Sequence, residues 1–130
     1  MPQIELIVRL IIRRDSKILL CKNKAAGRYY LPGGHVEFTD TLEETIYKEM
    51  NEELGFRKED ISNIVYKDHL EYMYDDGADK HHELNMIFTA SIPDDLETKS
   101  HEDYIAFEWI EITDIASINF QPKPIIPFLS

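Results

Sequence analysis

The sequence predicts a fold of the α+β or mixed α/β class, with several apolar strands around one strong helix. Three observations carry this reading. Segments rich in β-branched and apolar residues recur at 4–13, 17–22, 61–72, 83–92 and 104–112, separated by turn-forming residues. One stretch, 41–55, holds the start, period and stop signals of an amphipathic helix. With 130 residues and 43% hydrophobic content, the chain can bury a real core and is expected to form one domain over residues 1–130.

The elements follow in order. Residues 4–13 read as a strand, Asp15-Ser16 as a turn and 17–22 as a second strand, so the pair predicts a hairpin. Residues 25–28 read as a loop. Tyr29-Tyr30-Leu31 reads as a short extended piece that Pro32-Gly33-Gly34 breaks. Thr41-Leu42-Glu43-Glu44 is a capping box, with Thr41 as N-cap and Glu44 reaching back. The helix runs to Leu54, and Gly55 ends it. Loops are expected at 75–80 and 93–102, a helical turn at 113–116, and an irregular tail at 121–124.

Charge and cysteine usage narrow the function classes. Twenty-five acids against 14 bases give a formal charge of -11. A nucleic-acid binder usually carries a basic patch, and here the longest basic grouping is Lys22, Lys24 and Arg28. A negative chain repels polyanions, so handling phosphates calls for divalent cations. The only cysteine, Cys21, reads as a small buried hydrophobe and excludes an intrachain disulfide. The apolar run 4–12 contains Glu5 and Arg9, unlike a signal peptide. No stretch approaches the roughly 20 apolar residues of a membrane span. A soluble cytoplasmic protein is expected.

The helix carries the chemistry. At about 100° per residue, Leu42, Ile46, Met50 and Leu54 form one stripe from roughly 0° to 120°. Glu49 falls near about -20°, Glu53 near about +20° and Glu52 near about -80°. Two carboxylates therefore border the packing face and a third lies beside them. Desolvating each costs several kcal/mol unless something compensates. A hard divalent cation does so: Mg²⁺ takes carboxylate oxygens, keeps waters and bridges to phosphates. The alternative is a solvated acidic face, with Lys48 paired to Glu44 and Glu52. The glycines of Pro32-Gly33-Gly34 favour the cation, because a side-chain-free Gly34 leaves its carbonyl open to the same ion.

Residues 34–56, GHVEFTDTLEETIYKEMNEELGF, resemble the box of the Nudix hydrolase family, G-x5-E-x7-R-E-U-x-E-E-x-G-U, with U bulky and aliphatic. Gly34, Glu49, Met50, Glu52, Glu53 and Gly55 match at the required spacing, and Phe56 fills the last bulky position. Asp40 stands where the pattern has glutamate, and Lys48 where it has arginine. The resemblance implies an α/β/α sandwich with a mixed central sheet. It implies that Gly34, Glu49, Glu52 and Glu53 hold Mg²⁺, with Mn²⁺ as an alternative. It implies hydrolysis of the phosphoanhydride bond in a nucleoside diphosphate linked to another moiety: a nucleoside triphosphate, an ADP-sugar or a dinucleotide. The general base is Glu52 or Glu53 of the helix, or Glu102 on the loop before the last strand. Lys48 takes the place of the arginine that orients the glutamates, without its bidentate fork. Dimers are common among such relatives, so a homodimer is one of the states the sequence leaves open.

Outside the box, Arg28 is the candidate phosphate ligand, and Glu83 the candidate substrate contact on the face of His81. His81 and His82 point to opposite faces of a strand and cannot easily share one ion. Tyr29, Tyr30, Asn119 and Phe120 are either core residues or a base-binding set. Trp109 reads as core with its N–H partnered. The second reading of the chain is a weak or inactive Nudix domain that binds a nucleotide as a sensor, favoured by Asp40 and Lys48. A third is an acidic interaction domain without a ligand.

Overall fold

The computed structural model describes residues 3–130. Seven strands are arranged about a long first strand, β1 (Ile4–Arg14). Its β-branched residues alternate between two buried sides. Val8, Leu10 and Ile12 enter one apolar cluster, and Ile11 enters the other. β1 hairpins into β2 (Lys17–Asn23) through Asp15, which adopts a left-handed φ of 55°. β2 lies between β3 (Arg28–Tyr30) and β7 (Ile105–Glu111), both antiparallel to it. The other part of β1 lies between β4 (Gly33–His35), antiparallel, and β6 (Lys80–Ser91), parallel. β5 (Ser62–Asp75) closes that sheet antiparallel to β6, with register shifts near Val65 and Asp68. The sheet is mixed, as expected.

The helix α1 (Leu42–Leu54) forms over the expected span. The Thr41 hydroxyl accepts from the Glu44 amide at 3.0 Å. Glu44 makes no return bond among the described residues, so only half of the capping box forms. Gly55 ends the helix at φ 70°, its amide donating to the Asn51 carbonyl at 2.9 Å. Ile46, Met50 and Leu54 pack on Val8, Leu10, Leu19 and Phe88. The opposite side of the sheet is covered by two 3₁₀ segments, Ile112–Ser117 and Lys123–Leu129, which bury Ile115, Ile125 and Leu129 on Ile18, Leu20 and Ile87. The layers are those of a sandwich, with 3₁₀ turns as one outer layer.

Three local expectations are corrected. Gly33 and Gly34 do not end extended structure: after Pro32 the chain re-enters the sheet as β4, because Gly33 lets the backbone lie against the Val8 carbonyl, where a β-carbon would overlap it. Arg28 belongs to β3 rather than to the preceding loop. The tail is irregular, as expected, only at Gln121 and Pro122; from Lys123 it forms the second 3₁₀ segment, since Ile125 and Leu129 find apolar partners that short-range turn signals do not report. Among the described residues, no helix is long and apolar enough to cross a membrane. Met50 is fully buried and Phe38 is 96% exposed. In urea denaturation, Met50→Ala is expected to cost about 2–5 kcal/mol, and Phe38→Ala no more than about 0.5 kcal/mol.

Candidate active site

The site forms where β4 passes under α1. Gly34 sits opposite Val8 of β1, and the Glu49 carboxylate lies so close to its α-carbon that any side chain would collide with it. Glu53, one helical turn on, is buried at 9% exposure, and its Oε2 has no hydrogen-bond partner. Burial pushes Glu53 up to about 8; the charge of Glu49 adds to this, Arg9 opposes it, and Glu102 and Glu52 add further. Glu49 is also raised, first by burial and then by Glu52, with Lys48 opposing. Carboxylates crowded this way take up either a proton or a cation. The orphaned oxygen, the glycine-made gap and the all-oxygen donor set fit a hard divalent ion. Among the described residues, no three His, Cys, Asp or Glu side chains close on one point. An open site of that kind suits an ion that keeps waters and takes phosphate oxygens.

The remaining predicted residues divide. Glu52, expected beside Glu49 and Glu53, is exposed on the helix and does not converge with them. Lys48 does not pair with Glu44 or Glu52: it reaches Glu37 at 3.0 Å and Asp40 at 3.8 Å, so the two departures from the box meet each other across the loop before the helix. Glu102 is brought to the helix end by its neighbour, whose His101 amide donates to the Glu53 carbonyl at 2.7 Å. Arg28 and Glu83 both line a cavity of about 720 Å³, together with Arg9, Tyr30, Gly34 and Glu53. That volume is in the range of small-molecule sites. His81 pairs with Glu5 and Asp76, and His82 with Glu71, so the two do not share a site. Phe120 is core, while Tyr30 and Asn119 reach the cavity. Trp109 donates to Thr98 at 3.1 Å. Cys21 is fully buried.

Sequence reasoning missed Arg9, Asn85 and Tyr74. Arg9 donates to the Asn85 side chain at 3.3 Å and to the Leu31 carbonyl at 3.2 Å, and it is the cation facing Glu53. Its signal was present: a lone charge at the centre of an apolar strand needs a buried partner.

The sequence profile of the NUDIX domain family matches residues 4–129. The chain belongs to the Nudix hydrolase family. The ADP-ribose pyrophosphatase of Methanocaldococcus jannaschii is 29% identical over 119 residues, covering 89% of this chain and 67% of that protein. The chain spans 28% and 59% of the lengths of two other curated relatives. The crystal structure of a MutT Nudix hydrolase from Burkholderia pseudomallei is 28% identical with a TM-score of 0.62, covering 85% of each chain. That of the MutT protein of Bacillus halodurans has a TM-score of 0.72 at 19% identity, covering 98% of this Nudix chain and 81% of that one, a likeness of fold alone.

The charge crowding sets a pH dependence for the metal-free protein. Glu53 titrates at about 8 when folded and near 4.5 when unfolded. The folded state therefore binds the extra proton between those values, and stability falls as pH rises through that window. Each unit is worth about 1.4 kcal/mol, so the total is several kcal/mol. Thermal melts in chelator are expected to drop between about pH 5 and pH 8. Glu53→Gln is expected to flatten that slope.

Proposed function

We propose that this Nudix protein is a Mg²⁺-dependent hydrolase of the phosphoanhydride bond in a nucleoside diphosphate linked to another moiety. The buried, unpartnered Glu53 carboxylate beside Glu49 and Gly34 is the observation that supports this most. Glu49, Glu53 and the Gly34 carbonyl, with Glu52 at the rim, hold the ion; Mn²⁺ suits the same donors. When bound, Mg²⁺ neutralises the diphosphate and activates water. Arg28, which makes no ion pair among the described residues, takes a phosphate at the cavity mouth. Arg9 offsets the negative field behind Glu53 and ties β1 to β6 through Asn85. Glu102, held near the helix end by the His101 amide, is the proton acceptor for the attacking water. Lys48 holds the Glu37 and Asp40 loop against the helix, and so positions β4 and Gly34 rather than the glutamates themselves.

The substrate is a small nucleotide, not a nucleic-acid polymer or a membrane lipid. The relative named as an ADP-ribose pyrophosphatase makes ADP-ribose the first compound to try. The reading carries a cytoplasmic location and the homodimer that the family resemblance suggests. Turnover of ADP-ribose, nucleoside triphosphates and dinucleoside polyphosphates is measured with Mg²⁺ and with chelator. Chelator-sensitive cleavage of one class is expected. Glu53→Ala is expected to lower kcat by about 10²-fold or more with the fold retained by circular dichroism; an unchanged rate sinks the assignment. Lys48→Arg separates a slow enzyme from a nucleotide-binding sensor: a gain in kcat is expected, and silence in both forms across the panel favours the sensor.

A further inference from the structure

The cavity runs beyond the carboxylate site along the sheet. Its wall there is made by β6 and β5, where Glu83 stands opposite Tyr72, with Tyr74 beside them. Glu83 is 7% exposed, and no cation lies within ion-pair distance of it among the described residues. Its partners are long: the Asn85 amide donates to Oε1 at 3.3 Å and the Tyr74 hydroxyl to Oε2 at 3.5 Å. Asn85 is fully buried and cannot turn toward the carboxylate freely, because its oxygen accepts from Arg9 at 3.3 Å and its amide also donates to the Leu70 carbonyl at 3.4 Å. A carboxylate offers about four lone-pair sites. Glu83 is thus a fixed, desolvated acceptor on the cavity wall with capacity to spare.

A negative group in this place repels phosphate oxygens. The diphosphate therefore belongs with the carboxylates at the Gly34 and Glu53 end, and the group reaching Glu83 is uncharged and rich in donors. Tyr72 and Tyr74, stacked at 5.5 Å between centroids, supply an aromatic wall beside it.

Resting on the hydrolase reading above, we infer that Glu83, propped by Asn85 and the Tyr74 hydroxyl, is a specificity-determining residue that selects substrates presenting hydrogen-bond donors on the moiety beyond the diphosphate. The shared chemistry is an O–H or N–H donor pair, supplied by ribose hydroxyls or by the amino edge of a base. A site built around a buried acceptor rejects analogues that leave it unpaired.

The test is binding of AMP, GMP and ribose 5-phosphate to the full chain with Mg²⁺, for the wild type and Glu83→Gln, by calorimetry. Glu83→Gln keeps the side-chain shape and gives up the charge and one acceptor oxygen. A loss of at least about 10-fold with unaltered melting temperature is expected. Loss with all three compounds names the ribose hydroxyls; loss with the mononucleotides alone names the base edge. In turnover of ADP-ribose, KM is expected to rise by a similar factor with kcat within about 3-fold. Equal affinity of both proteins for all three compounds overturns the inference. So does failure of the wild type to bind any of them at millimolar concentration. Absence of wild-type turnover with fragment binding intact and Glu83-dependent overturns the hydrolase reading alone.

Discussion

The structure turns on the desolvation of one carboxylate. A helix that packs on a sheet ordinarily presents only apolar side chains, yet Glu53 lies on the packing side of α1 with an oxygen that bonds to nothing. Burying an ionised carboxylate without a partner costs several kcal/mol. The surrounding groups make the cost larger, since Glu49, Glu52 and Glu102 add to it and Arg9 is the cation that opposes them at Glu53. Such an arrangement persists where a proton or a cation completes it. A buried group with a strongly perturbed pKa in a cleft marks a functional site for that reason.

The fold supplies this corner through β1. That strand pairs with β4 on one edge and β6 on the other, and its far end turns into β2. Its alternation feeds both apolar clusters, so the helix layer and the 3₁₀ layer are anchored on one element. The same strand carries Arg9 to the back of the site. The glycine at position 34 then sets the distance between sheet and helix carboxylate, because any larger residue would push Glu49 away. The loop at 100–103 completes the rim by capping the helix end through the His101 amide.

Much of this was legible in the sequence. The helix announced itself through Thr41, its apolar stripe and Gly55, and its wheel put Glu49 and Glu53 at the border of the packing face; that Glu53 is buried and Glu52 exposed came only with the fold. The helix signals and the wheel are local properties, set within one or two turns. The misses were long-range. Strand β4 is three residues long and contains two glycines, so only its pairing with Val8 and Arg9 makes it a strand. The ordered tail depends on Ile125 and Leu129 finding Leu20 and Ile87, far away in the chain. Lys48 was expected to serve acids on its own helix; the nearer acids proved to be Glu37 and Asp40 on the preceding loop. The relation of Arg9 to Glu53, 44 positions apart in the numbering, required the fold.

The central claim is that the Glu53 corner exchanges a proton for a divalent cation. Calorimetric titration of the metal-free protein with Mg²⁺ or Mn²⁺, in buffers of different ionisation heat, measures both the binding and the protons released. The account predicts release of about one proton per ion near pH 7, vanishing near pH 9 and absent in Glu53→Gln. Binding with no proton release at pH 7, or release undiminished in Glu53→Gln, would contradict it.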